Sequence, residues 1–481
     1  MNTGTFRVGT GRVTITPPLT VPHAGWGAQT HVFAEGVETD LWATVLVADD
    51  GDERAALVDM DLVILTPPEA EAMRREVSRV LDILPEKVRI ALTHNHAGPP
   101  PSNWDWVDKG REALSSYYAG LPGHAANAAR TALANLRPAR IAVGRGESRV
   151  AVNRRESAPD GRIATGVNPN GVIDPHVFVL RIDAADGKPL AAVVGYTMHP
   201  TTMGPTNRQF SADWPGHLKR TVEQLTGATC LFVQGATGNV GPGPEGFTDD
   251  FRVIRKLGTV IGCEATRVYL GLHLPPVEFR HERIWESGAP LGKWTAVPVP
   301  DIAAIVRASA RTVNLPLQPQ LPVADAEAAL EQQRGRLHDA IARGAPPADV
   351  EAATFRTKRA NMAVSRARTF GGKREFPVEL HLLQLGPAVL AAIPCEPFAE
   401  IALAIKSRSP FAHTWFGGYS GAWAGYLPVP EEYPRKGYEV DTTPYTPDAA
   451  GRVIEDTVAA LNQLHQERGA SRGGERTGSA R

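Results

Sequence analysis

Val88-Arg-Ile-Ala-Leu92, running into Thr93-His94-Asn95-His96-Ala97-Gly98-Pro99, is the stretch on which the fold turns. The first five residues are mostly apolar and read as a buried strand. Residues 67–84, just upstream, carry apolar side chains at helical spacing, and residues 40–47 and 55–62 read as strands flanking the Asp49-Asp-Gly-Asp52 turn. Strand, helix and strand in that order predict βαβ units and therefore an α/β fold with a large mixed, mainly parallel sheet flanked by helices.

Outward from this core the same grammar continues. Residues 6–15 alternate like a strand, and 111–136 form an Ala-rich helix leading to a strand at 139–145. Strands at 178–183 and 190–194 bracket Ala184-Ala-Asp-Gly187, a hairpin signal. Helices are expected at 213–225 and 251–270, little pattern at 286–301, and a return to the sheet at 378–385 and 389–393. Between them, 324–343 and 347–368 predict an inserted helical hairpin (324–368), broken at Gly344-Ala-Pro-Pro347. Its plain reading is an insertion on the domain edge; the sharper one is a lid over the substrate. One domain is expected over 1–465, with a disordered Gly/Ser/Arg-rich tail at 466–481.

Polar residues follow four of the apolar runs. His94 and His96 follow 88–92, His199-Pro200 follows 190–194, Gln234-Gly-Ala-Thr-Gly-Asn239 follows 230–233, and Pro394-Cys-Glu396-Pro397 follows 389–393. The carboxyl ends of strands are where α/β sheets collect ligands, so the active site is expected there. Residues two apart in extended chain point the same way, so His94 and His96 can face one cavity, and His199 adds a third imidazole. Catalytic zinc sites take three protein ligands and leave a position for water. Glu396 is a candidate carboxylate ligand; equally, it reads as an acid at a helix N-terminus beside Pro397.

Composition narrows the rest. The 481 residues are 42% hydrophobic and 21% charged, with 51 Lys and Arg against 52 Asp and Glu. A large core is possible, and the lack of a basic stripe argues against nucleic acid as a partner. Three cysteines without C-x-x-C spacing argue against a disulfide framework or a cysteine-rich zinc site. No apolar run approaches a membrane span and no apolar leader is visible, so a cytoplasmic location is expected.

Taken together, the motifs make the chain resemble the neutral (non-lysosomal) ceramidases, zinc amidases that hydrolyse the N-acyl bond of ceramide. The likeness runs through Val8-Gly-Thr-Gly-Arg-Val-Thr-Ile-Thr-Pro17, Val58-Asp-Met-Asp-Leu62, Thr93 to Pro99 (close to the family's T-H-T-H-S-G-P) and Asn153-Arg154. It continues through His199, 235–242, Ile393-Pro-Cys-Glu-Pro397, Gly425-Tyr426, Glu431-Glu-Tyr433 and Tyr438-Glu439. The resemblance implies His94, His199, Glu396 and Tyr426 as zinc ligands, with His96, Arg154 and Tyr438 around the scissile amide. Arg155 stands beside Arg154, and the sequence does not choose between them. The implied chemistry is attack by zinc-activated water, an oxyanion held by Arg154 and Tyr438, and proton transfer to the leaving amine by His96.

The chain also departs from the family. The usual G-D-V-S-P segment is here Gly238-Asn239-Val240-Gly241-Pro242, which removes a serine and an aspartate. The family's leader and carboxyl-terminal β-sandwich are expected to be lacking, with only 481 − 438 = 43 residues after Tyr438. Trp104 and Trp106 could line the entrance. The expected function is a zinc-dependent amidohydrolase acting on a ceramide-like or smaller soluble amide. A zinc esterase or lactonase, or a non-catalytic ligand-binding relative, are the alternatives.

Overall fold

Every second residue of the central strands is apolar on one face and its neighbours are apolar on the other, so both faces of the sheet demand cover. The computed structural model describes residues 6–473 except 24, 105–106, 108 and 301–303, with side chains as far as 467. Its main sheet has eight strands: β1 (Arg7–Thr14), β2 (Trp42–Asp49), β3 (Arg54–Met60), β4 (Val88–Leu92), β5 (Arg137–Glu147), β6 (His176–Ala184), β7 (Pro189–Tyr196) and β8 (Thr229–Gln234). Their spatial order is β8-β7-β6-β5-β1-β2-β3-β4.

On one face, Val45, Val47, Val58, Met60, Ile90 and Leu92 pack against α1 (Pro67–Leu81) and α2 (Arg111–Ala134). Further along that face, Val179, Ala192, Val194 and Phe232 meet α3 (Asp213–Thr226) and α4 (Phe251–Gly271). The opposite face, with Leu46, Leu57, Leu180, Ile182, Val193 and Leu231, is covered by a second sheet through Leu383, Leu385, Leu390 and Trp415.

That second sheet has four strands in the order β9-β10-β11-β12: β9 (Val306–Pro316), β10 (Glu375–Leu385), β11 (Ala388–Ala392) and β12 (His413–Gly417). The remaining helices are α5 (Val323–Ala342), α6 (Pro347–Phe370), α7 (Ala399–Arg408), α8 (Tyr438–Thr442) and α9 (Asp448–Gly473). The outer face of the second sheet, with Leu380, Leu382, Val389, Ala391 and Phe416, packs on α7 and α9. The layers run helix, sheet, sheet, helix, with two sheets packed face to face.

The mixed sheet and its flanking helices stand as predicted, but a parallel majority does not. Five neighbouring pairs of the main sheet are antiparallel, and only β3–β4 and β7–β8 run parallel. The reason is the connections. Parallel neighbours need a crossover helix, which α1 and α3 supply at those two places, whereas tight turns join β2 to β3 and β6 to β7 as hairpins. Residues 378–385 and 389–393 do not rejoin the main sheet; they build the second one, because the main sheet's uncovered apolar face needs a layer. Residues 286–301 show little pattern in the sequence, yet Val277–Trp285 and Leu291–Pro298 form an antiparallel hairpin. Its side chains are almost all exposed, so no burial pattern marks it in the sequence.

The inserted helical hairpin is α5 and α6, closed by Ala326, Leu330, Val364 and Ala367. Helix α9 continues to Gly473, into the stretch expected to lack structure; 474–481 lies outside the described residues. Among the described residues no helix is long and apolar enough to cross a membrane.

Candidate metal centre

His94 lies two residues past β4 and His199 three past β7, while the loop 235–242 follows β8. A short parallel pair, Glu396–Pro397 with Tyr426–Leu427, closes the site and makes Glu396 and Tyr426 direct Cα partners. Gly238 donates its N–H to Pro397 O (2.8 Å), and a Cβ at 238 would stand 2.5 Å from Glu396 O, so only glycine lets this loop approach. His94 itself has φ +62°, a left-handed conformation that costs a non-glycine residue energy and is typical of functional sites.

Each imidazole is oriented through its Nδ1. His94 Nδ1 donates to Val63 O (2.8 Å), His96 Nδ1 to Gly25 O (2.8 Å) and His199 Nδ1 to Thr237 O (3.3 Å). A carbonyl oxygen only accepts, so these partners assign the proton to Nδ1 and leave a bare lone pair on each Nε2. The Nε2 of His96 lies 3.2 Å from that of His94 and 3.2 Å from that of His199. Burial, with help from neighbouring charges, pushes His96 down to about 3 and His199 well below the usual imidazole range, so both rings are neutral at pH 7. Three converging lone pairs repel one another unless a cation sits among them. A backbone carbonyl on the far ring nitrogen is also how metal-ligating histidines are held.

Glu396 completes the cluster. Its Oε2 is 3.5 Å from His94 Nε2 and 4.0 Å from His199 Nε2. Trp423 Nε1 donates to Oε1 (2.8 Å) and Tyr419 Oη to Oε2 (3.3 Å). Burial works to raise this carboxyl, but His94, Trp423 and Arg154 outweigh it and hold it at about 2. Glu396 is therefore an ionised carboxylate turned toward the imidazole cluster, bonded to Trp423 and Tyr419 and not to the N-terminus of α7. The first N–H of α7 is instead taken by Asn239 Oδ1 (2.9 Å).

Tyr426 Oη accepts from Arg154 Nη2 (3.1 Å). Burial and then Glu396 raise the phenol well above its usual range, so it stays protonated unless a cation offsets them. Glu439 Oε1 accepts from Arg154 Nε (2.8 Å) and Oε2 from Arg155 Nη1 (2.6 Å). Arg155 also donates to Glu432 Oε2 (2.8 Å) and Lys436 O (2.5 Å). The two adjacent arginines differ in what they touch: Arg154 reaches Tyr426, whereas Arg155 is bonded to Glu432, Glu439 and Lys436 O. The Tyr438 ring meets the Tyr426 ring edge-on at 5.6 Å and is 43% exposed, at the mouth of the site.

Sequence reasoning passed over Tyr419, Trp423 and Glu439. Glu439 lies within a segment quoted for the resemblance and Trp423 two residues before another, but neither residue type announces that it orients another side chain. Gly241, in the place of the family serine, leaves room: an added Cβ would lie 3.4 Å from Arg154 Cβ, an ordinary contact. Trp104 is partly buried, and Trp106 lies outside the described residues.

Residues 6–241 match the family described as neutral/alkaline non-lysosomal ceramidase, N-terminal. The chain is 24% identical over 511 aligned positions to the neutral ceramidase of Pseudomonas aeruginosa, covering 95% of this chain and 72% of that protein. In fold it is similar to the crystal structure of neutral ceramidase from Pseudomonas aeruginosa, with a TM-score of 0.65, 20% identity, and coverage of 96% of this chain and 75% of that one. A structure of a ceramidase complexed with C2 gives a TM-score of 0.64 at 18% identity, with coverage of 96% of this chain and 75% of that one.

Proposed function

This chain belongs with the neutral/alkaline non-lysosomal ceramidases, and we propose that it hydrolyses the N-acyl amide bond of a ceramide-like lipid or a smaller soluble amide. The observation that carries this reading is the convergence of the three imidazole Nε2 atoms beside the ionised Glu396. On our reading His94, His199, Glu396 and Tyr426 hold a divalent ion, zinc first, because nitrogen and oxygen donors of this kind suit it. When bound, such an ion lowers the pKa of water toward about 7 and makes hydroxide available at neutral pH.

The chain's own groups do the rest. Arg154, clamped by Glu439, presents a fixed positive charge where the carbonyl oxygen gathers negative charge, and Tyr438 offers a hydroxyl from the rim. His96, whose Nδ1 is engaged by Gly25 O, has a free Nε2 to take a proton and pass it to the leaving amine. Burial of His94 and His199 keeps bulk water from competing for them.

The test is zinc content and turnover of protein prepared without chelator or metal-affinity tag, assayed on matched N-acyl and O-acyl substrates. About one zinc per chain and faster amide than ester cleavage support the proposal. No metal uptake would overturn it, and faster ester cleavage at equal binding would move the activity to an esterase. One observation favours a second ligand set: His94, His96 and His199 offer ring nitrogens within 4.8 Å of one another. If Tyr426→Phe keeps its zinc while His96→Ala loses it, His96 is the ligand and Tyr426 is not.

A further inference from the structure

Strand β4 carries a charge into the layer between the two sheets. Val88, Ile90 and Leu92 face the α1 and α2 layer, so by strand alternation Arg89 points to the other side, where Ala91 joins the inter-sheet cluster. Arg89 is 1% exposed, and its Nε and Nη1 have no hydrogen-bond partner. Burial lowers the guanidinium to about 9, and among the described residues no carboxylate opposes that effect, so at neutral pH it remains a buried cation without a counter-charge there.

Two other residues gather at the same junction. His381 of β10 is fully buried; its Nε2 donates to Glu86 O (2.8 Å), in the turn that leads into β4, and its Nδ1 has no partner. Arg74 of α1 pairs with Glu379 (2.5 Å), two residues before His381, while its Nε is unpartnered. The charges of Arg74 and Arg89 both bear on the His381 ring. The site is braced from outside by the loop that carries Tyr419 and Trp423. Ser420 Oγ and Gly421 N both donate to Ile90 O (3.1 and 3.0 Å), and a Cβ at Gly421 would lie 3.0 Å from Arg74 Nη2.

A buried charge without a partner is strongly unfavourable, and buried polar groups are ordinarily satisfied by protein, water or a bound ion. Water would answer the N–H groups but leave the charge uncompensated. Arg74 is already matched by Glu379, so one positive charge remains. We propose that the Arg89 guanidinium, through its unpartnered Nε and Nη1, holds one small monovalent anion of halide size, enclosed between the two sheets and separate from the metal centre.

The experiment uses the full chain exchanged into sodium gluconate, an anion too large to enter, and then titrated with sodium chloride or bromide at matched ionic strength. The expected result is a saturable rise in Tm of about 2–4 °C with halide, absent in Arg89→Met. Crystals grown in bromide should show an anomalous peak beside the Arg89 guanidinium. Equal Tm in halide and gluconate, with no bromide at Arg89, would overturn the proposal and leave ordered water as the occupant. Should Arg89→Met fail to fold, bromide crystals of the unsubstituted protein decide the question alone.

Discussion

Glu396 is held by two donors of different kinds, the indole N–H of Trp423 and the hydroxyl of Tyr419, and Tyr419 Oη lies a further 2.6 Å from Thr237 Oγ1. Neither aromatic side chain needs to touch a metal to matter, because a carboxylate that swings freely spends little time in a ligating position. Groups that orient ligands in this way typically govern metal affinity by about 10- to 100-fold. Trp423→Phe keeps the ring and removes the donor, so zinc affinity should fall by about that factor, read by competition with a chromophoric chelator. Unchanged affinity would mean that Trp423 is packing alone. The same residue-level logic separates Arg154 from Arg155, whose guanidinium is shared among Glu432, Glu439 and Lys436 O.

Helix α7 begins at Ala399, behind Phe398, whose apolar ring cannot cap it. Its first amide is met instead from another element, by Asn239 Oδ1, while Asn239 Nδ2 donates to Glu400 Oε2 (2.9 Å). One amide side chain thus ties the loop after β8 to the helix that follows Glu396. Asn239→Ala removes the cap and strips a partly buried carboxyl of its donor. A loss of about 1 kcal/mol is expected from the cap, measured by urea unfolding; no loss would show that water replaces the contact. Helix α6 likewise bridges elements, with Lys358 Nζ donating to Gly27 O (2.8 Å) and Gln29 O (2.7 Å) and Arg366 Nη1 to Asp441 O (2.8 Å). Those bonds reach both the segment just after Gly25, His96's carbonyl partner, and the helix that starts at Tyr438.

Across the whole molecule, several histidines are buried in neutral form, and this sets a pH dependence of stability. His23 is 3% exposed; burial first, then His31, lower it from 6.5 to about 3. The unfolded chain binds a proton there below 6.5 and the folded chain does not. The stability owed to the neutral ring is therefore complete above pH 6.5 and lost progressively as pH falls toward about 3. The slope is about 1.4 kcal/mol per pH unit for each such group. Tm should fall between pH 7 and pH 5, and His23→Asn should flatten that fall; an equal slope in both proteins would remove His23 from the account.

The sequence by itself determined the local elements and the chemistry at their ends. A short, mostly apolar run placed β4 at Val88–Leu92, helical spacing placed α1 and an Ala-rich stretch placed α2, because all are written in neighbouring residues. His94, His96 and His199 were legible as candidate site residues because they follow buried strands, and Glu396 was legible as one of two readings. Only the tertiary structure decided which strands pair and in which direction, that residues 378–393 build a second sheet, and that Arg154 faces Tyr426. It also revealed Tyr419, Trp423 and Glu439 as supports. The physical reason is range: periodicity is set by adjacent side chains, whereas pairing, burial of both sheet faces and the choice between adjacent arginines depend on groups hundreds of residues away, such as Glu439 for Arg154.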